Sequence, residues 1–106
     1  LYLLKREQSI QVASAVTVVT LIVGAWLGVN SFYWAMLALA LGVVWITEAL
    51  NTAIEASIDL GTTEIHPMAK VGKDVASAAS LISSIVFALV VLLILLPRIL
   101  DRINAG

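Results

Sequence analysis

The chain has 106 residues, 61% of them hydrophobic, with a mean hydropathy of +1.07 and a formal charge of −1. Soluble domains carry roughly 45–50% apolar residues, so an ordinary soluble fold is excluded, and the length allows one domain at most. Cysteine is absent, which removes disulfide and thiol chemistry, and no P-loop, Gly-rich nucleotide fingerprint or zinc motif occurs.

Placement of charge divides the chain. Charged residues gather at Lys5 to Glu7, Glu48 to Glu64, Lys70 to Asp74 and Arg98 to Arg102, and none lies between Gln8 and Thr47 or between Val75 and Pro97. A membrane span needs roughly 20 apolar residues at 1.5 Å rise each. The first uncharged interval holds two spans with a turn and the second holds one. The expectation is an all-α integral membrane protein of three transmembrane helices, a single domain over residues 1–106.

The first span covers about 10–29. The chain opens on Leu1 and not Met, which reads as a missing N-terminal piece. Gly28, Asn30 and Ser31 mark a turn, flanked by Trp26, Tyr33 and Trp34 as an interfacial aromatic belt would be. Gly24 and Gly28, four residues apart, offer a place for close helix approach.

The second span covers about 32–60, roughly 42 Å of helix against a hydrocarbon core of about 30 Å. Its acidic end therefore emerges from the membrane. Along it Glu48, Asn51, Glu55 and Asp59 follow at steps of three, four and four, which places them on one helical face. An ionised carboxylate in lipid costs several kcal/mol or more, so such a stripe needs cations, partner helices or water.

Gly61-Thr62-Thr63 stops this helix and a short loop reaches His66-Pro67. Proline suits the first helical position, so a third helix starts there and crosses the membrane at about 76–96, with Pro97 ending or kinking it. Ser77, Ala78, Ser80, Ser83 and Ser84 supply small side chains and hydroxyls able to bond across helices. Three helices shelter several acids thinly, which points to a homo-oligomer. Lys5, Arg6, Lys70 and Lys73 share one membrane side, cytoplasmic by the positive-inside rule, while Arg98 and Arg102 on the other side run against it.

This topology brings Glu55 and Asp59 to the same membrane face as Glu7, Lys70, Lys73 and Asp74. Hard oxygen ligands there suit Mg²⁺, which takes one or two carboxylates and completes its shell with water and substrate phosphates. Nearby lysines hold phosphates, and Glu48, a turn or two deeper, is the candidate base for a lipid hydroxyl. That is the equipment of phosphoryl transfer, where positioning and charge neutralisation dominate. Plainer roles exist for several of these groups. Glu55 and Asp59 could be the solvated end of a long helix, Asn51 an interhelical hydrogen-bonding group, Lys70 and Asp74 an ordinary i,i+4 pair, and His66 a loop residue.

The run Glu48-Ala-Leu-Asn51-Thr-Ala-Ile-Glu55-Ala-Ser-Ile-Asp59, with Lys73-Asp74-Val-Ala-Ser-Ala-Ala downstream, resembles the signature of the small prokaryotic diacylglycerol kinase and undecaprenol kinase family. The loop Glu64-Ile-His66-Pro67-Met-Ala-Lys70 resembles that of the undecaprenol kinase branch. The resemblance covers nearly the whole chain. It implies a homotrimer of three-span subunits preceded by an amphipathic surface helix, most of which precedes Leu1, with active sites between protomers at the cytoplasmic face. By residue it implies Glu48 as proton acceptor, Glu7 and Glu55 as holders of Mg²⁺, and Glu64, His66, Lys73 and Asp74 as contacts of ATP. Asn51 and Asp59 would support the site. The expected reaction is phosphorylation of undecaprenol or, second, diacylglycerol; Pro67 after His66 departs from the Gram-negative diacylglycerol kinases and favours the polyprenol. Two other readings of the residues stand beside it: an ion- or proton-conducting oligomer built around Glu48, and a structural subunit whose stripe directs assembly.

Overall fold

The computed structural model describes residues 2–61 and 66–105, with side chains from Gln8 onward. Glu64 and the side chain of Glu7 therefore lie outside the described residues. The described chain forms three helices, α1 (Tyr2–Leu27), α2 (Ser31–Gly61) and α3 (Pro67–Ala105). The fold is all-α, and each helix contains a stretch long and apolar enough to cross a membrane.

Local chemistry sets each boundary. Gly28 adopts φ 66°, a left-handed conformation that closes α1, and its N–H donates to the Gly24 carbonyl at 3.0 Å. Asn30 then caps α2, its Oδ1 accepting the Tyr33 N–H at 3.0 Å. At the other end His66 caps α3, its ring Nδ1 accepting the Met68 N–H at 3.1 Å, with Pro67 in the first helical position where no donor is needed.

The third helix does not end at Pro97; it runs on to Ala105. Proline removes one backbone donor, and in the same turn the Arg98 Nη1 donates to the Ile94 carbonyl at 2.7 Å. The donor that Pro97 lacks would have met the Leu93 carbonyl, so the Arg98 contact adds a donor to the same turn without replacing the lost bond.

The bundle measures 60 × 21 × 21 Å, twice the roughly 30 Å hydrocarbon thickness, so it is longer than a span requires. Helices α2 and α3 pack as an antiparallel pair, and α1 lies against them more loosely. Only 17% of each apolar window is buried within the chain, which leaves most of the apolar surface for acyl chains or neighbouring subunits.

The apolar core sits at the turn end. Val29, Leu37, Ile94 and Leu95 form it, with Tyr33, Trp34 and Ile99 packed around. Gly24 does not serve backbone-to-backbone approach, as the small-residue spacing suggested. It receives the Trp34 ring, whose Cη2 lies 2.7 Å from where a Cβ would stand. Trp34 is accordingly a packing residue and not part of an outward belt. Trp26 is half exposed and lies beneath Arg102, 4.9 Å from the ring centroid, while Arg98 covers Tyr33 at 3.9 Å. The two arginines that run against the charge rule are thus laid over aromatic rings.

Candidate active site

The acidic stripe of α2 turns toward α3. Glu48 is half-buried, and its Oε1 accepts the Ser80 Oγ–H at 2.6 Å. Three turns along, Asp59 accepts from Lys73 Nζ at 2.6 Å across the same interface, both side chains roughly half exposed. The ion pair is therefore interhelical and joins Asp59 to Lys73, where the sequence had suggested Lys70 with Asp74. Its exposure limits it to the range of surface pairs, about 0–1 kcal/mol.

A hydroxyl pair reinforces this seam one residue from Glu48. Thr47 Oγ1 lies 2.7 Å from Ser83 Oγ, and Ser83, nearly fully buried, donates to the Ser80 carbonyl at 2.7 Å. On α3 the residues Lys73, Ala76, Ser80 and Ser83 follow at steps of three, four and three, a single stripe at the helical period. It faces Asp59 through Thr47 on α2, read in the opposite direction. In lipid, where apolar side chains gain nothing by leaving water, such hydroxyl contacts add to helix packing in holding the helices together, at about 0.6–2 kcal/mol each.

Between the two contacts lie Asn51 and Glu55, both half-buried. The Asn51 Oδ1 is buried and has no hydrogen-bond partner among the described residues. An unmet acceptor of this kind costs about 1–3 kcal/mol and suits a site that something else completes. Among the described residues no cluster of three or more acidic or imidazole groups could cage a metal ion. The donor set fits Mg²⁺ nonetheless: oxygen atoms from Glu55 and Asn51, with coordination left to water and phosphate, match the habits of that ion better than a complete protein cage does.

Two open grooves meet at Glu48. One, about 400 Å³, runs between α1 and α2 and is lined by Ser9, Ala13, Trp45, Glu48, Thr52 and Ala56. The other, about 550 Å³, has Gln8 and Ser9 at one end and Val12, Val16, Val44 and Phe87 along an apolar wall. Trp45 is tied to α1 by its Nε1, which donates to Thr17 Oγ1 at 2.9 Å. Loose packing of α1 against the other helices leaves both grooves open. A carboxylate between two apolar troughs can meet the polar head of an amphiphile whose tail stays in the membrane.

The structure brings together Glu48, Asn51, Glu55, Asp59 and Lys73 along the α2–α3 seam. Asp74 is exposed one residue beyond Lys73, and His66 stands at the start of α3 as its cap. Contacts missed in the sequence are Ser80 on Glu48, Thr47 on Ser83 and Trp45 on Thr17. The first two have a sequence signal, the period-matched stripe on α3; the third has none, because Thr17 and Trp45 are single polar groups in apolar runs.

Comparison with known proteins bears on the family of the chain. The sequence profile of the prokaryotic diacylglycerol kinases matches residues 1–95. An undecaprenol kinase of Bacillus subtilis (strain 168) is 34% identical over 95 residues, covering 90% of this chain and 77% of the relative. A diacylglycerol kinase of Escherichia coli (strain K12) is 36% identical over 81 residues, 76% of this chain and 62% of the relative. A diacylglycerol kinase of Helicobacter pylori is 36% identical over 70 residues, 66% of this chain and 55% of the relative. No solved structure gives a significant match. An all-α bundle of membrane-length helices, an acidic seam at one end and a profile match over residues 1–95 have one meaning: the chain belongs to the prokaryotic diacylglycerol kinase family of membrane lipid kinases.

Proposed function

We propose that this protein transfers the γ-phosphoryl group of ATP, with Mg²⁺, to the hydroxyl of undecaprenol at the cytoplasmic membrane surface, diacylglycerol being the second choice of acceptor. The observation that carries the reading is the half-buried Glu48 carboxylate at the junction of two grooves, held from α3 by Ser80. The apolar wall of Val12, Val16, Val44 and Phe87 accepts a lipid tail and leaves the alcohol beside Glu48. The similarity to an undecaprenol kinase, together with Pro67 after His66, favours the polyprenol.

Each residue has a task in this scheme. Glu48 accepts the hydroxyl proton, which makes the lipid oxygen a nucleophile as it attacks the γ-phosphorus. Glu55 and Glu7 hold Mg²⁺, with Asn51 offering its unpaired oxygen to the same neighbourhood. The ion, when bound, neutralises charge on the phosphates. Lys73, steadied by Asp59, presents a cation to the nucleotide, and Asp74, Glu64 and His66 complete its surroundings. Water is kept from the lipid hydroxyl by the apolar groove walls. A homotrimer would cover the exposed apolar faces and close the site between protomers.

The test is transfer of labelled γ-phosphate by purified protein in mixed micelles, with undecaprenol and diacylglycerol as separate acceptors and Mg²⁺ present or chelated. Label in the lipid phase, dependent on Mg²⁺ and greater with undecaprenol, is the expected result. Absence of labelled lipid with either alcohol would overturn the reading.

A further inference from the structure

Hydroxyls in these helices mostly turn back on their own backbone. Thr17 donates to the Ala13 carbonyl, Thr20 to Val16 and Ser84 to Ser80, each four residues back, which hides the hydroxyl in an apolar setting. Ser80 does otherwise. Its hydroxyl leaves its own helix and donates to Glu48 Oε1 at 2.6 Å.

The backbone of Ser80 is held as well. Its carbonyl accepts from Ser83 Oγ at 2.7 Å, and Ser83 Oγ lies 2.7 Å from Thr47 Oγ1, on the residue beside Glu48. Glu48, Ser80, Ser83 and Thr47 thus close a ring of contacts spanning α2 and α3. Such a ring fixes the register of the two helices at this level. It also fixes the rotamer of the carboxylate, since an ionised carboxylate only accepts and Ser80 supplies the donor.

We infer that Ser80 is a positioning residue of the phosphoryl transfer: it engages Oε1 and so presents Oε2 of Glu48 to the lipid alcohol. The inference rests on the reading of Glu48 as the base. In the step itself the lipid O–H bond breaks and its proton passes to Oε2. The freed oxygen pair forms the bond to the γ-phosphorus, and the bond from that phosphorus to the bridging oxygen of ADP breaks, ADP leaving with its electrons. Ser80 exchanges no proton in this sequence. Its contribution is orientation, and misplacing a reacting group by an ångström can cost about a hundredfold in rate.

The experiment uses the full chain in mixed micelles with ATP, Mg²⁺ and undecaprenol. Ser80→Ala is expected to lower kcat about tenfold with KM for ATP and for lipid unchanged, a fraction of that hundredfold penalty. Ser80→Thr, which keeps the donor, should restore kcat, and Ser80→Cys, of similar volume with a weaker donor, should fall between. In a Glu48→Gln background Ser80→Ala should change nothing further. A readout independent of turnover is the infrared carboxylate stretch of Glu48, identified by its loss in Glu48→Gln; Ser80→Ala should shift it and Ser80→Thr should not. Wild-type kcat in Ser80→Ala with an inactive Glu48→Gln would overturn the role of Ser80 alone, as would an unmoved carboxylate band. Full activity in Glu48→Gln would instead overturn the base reading, and the inference with it.

Discussion

The two ends of the bundle are built on opposite principles. At the turn end, Gly28 and Asn30 fix a tight connection, Trp34 fills the space over Gly24, and Leu37, Ile94 and Leu95 form a buried cluster. Polar groups there are consumed locally: Arg98 lies over Tyr33 and bonds a backbone carbonyl, and Arg102 lies over Trp26. At the acidic end, α1 stands off, two grooves open, and hydroxyls and charges join apolar contacts such as Ile58 on Gly72 in the α2–α3 seam. One end is satisfied and the other is unfinished, down to a buried Asn51 oxygen without a partner among the described residues. In a chain too small for a large core, rigidity at one end lets the other stay open to ligands.

Substitutions at the acidic end should cost function and those at the turn end should cost stability. The largest effect is expected for Glu48→Gln, which should reduce kcat at least about a hundredfold, the lower range for a general base, while ATP binding persists. Equilibrium nucleotide binding together with turnover checks this; a variant retaining substantial turnover would erase the functional side of the contrast. Glu55→Ala should raise the Mg²⁺ concentration needed for half-maximal activity about tenfold, read from a titration at saturating lipid. An unchanged titration would remove Glu55 from the metal site.

Gly24→Leu should act in the reverse sense. The first added atom meets the Trp34 ring at 2.7 Å, so overpacking should cost about 1–3 kcal/mol of stability, visible as a lower midpoint in detergent-monitored unfolding. The kcat of the folded fraction should hold, and a selective loss of kcat would show that the two ends are coupled. Arg98→Ala should cost less, about 0.5–2 kcal/mol for a cation–π contact, again without effect on KM for ATP. Smallest is the stability effect of Asp59→Asn: the Lys73 pair is half exposed, so the loss should stay within about 1 kcal/mol and shrink further with added salt. A larger change in unfolding midpoint would mean that the seam depends on this pair more than its exposure allows.

Comparison of sequence and structure separates along the same line. Helix number, approximate spans and the one-sided acidic stripe followed from charge placement and helical period alone, because lipid forces backbone bonds to close within each helix. Caps at Asn30 and His66 also have local causes, a side chain reaching a donor two or three residues away. Pro97 reads as an end or a kink of α3, and the helix runs through it to Ala105, since one missing donor leaves the neighbouring backbone bonds in place. Trp34 misled: beside a turn it reads as an interfacial anchor, and only the proximity of Gly24 turns it inward. Ser80 lay in plain view within a run of small residues, yet nothing local distinguishes it from Ser84.

The sequence by itself determined an all-helical membrane protein with an acidic face and the family signature on it, because periodicity and apolar length are properties of the chain taken a few residues at a time. The tertiary structure alone decided which partners the stripe meets: Ser80 for Glu48, Lys73 for Asp59, and none among the described residues for the Asn51 oxygen. Those pairings depend on the register of α3 against α2, which is set by side-chain fit across the whole interface and is written in no single stretch of residues.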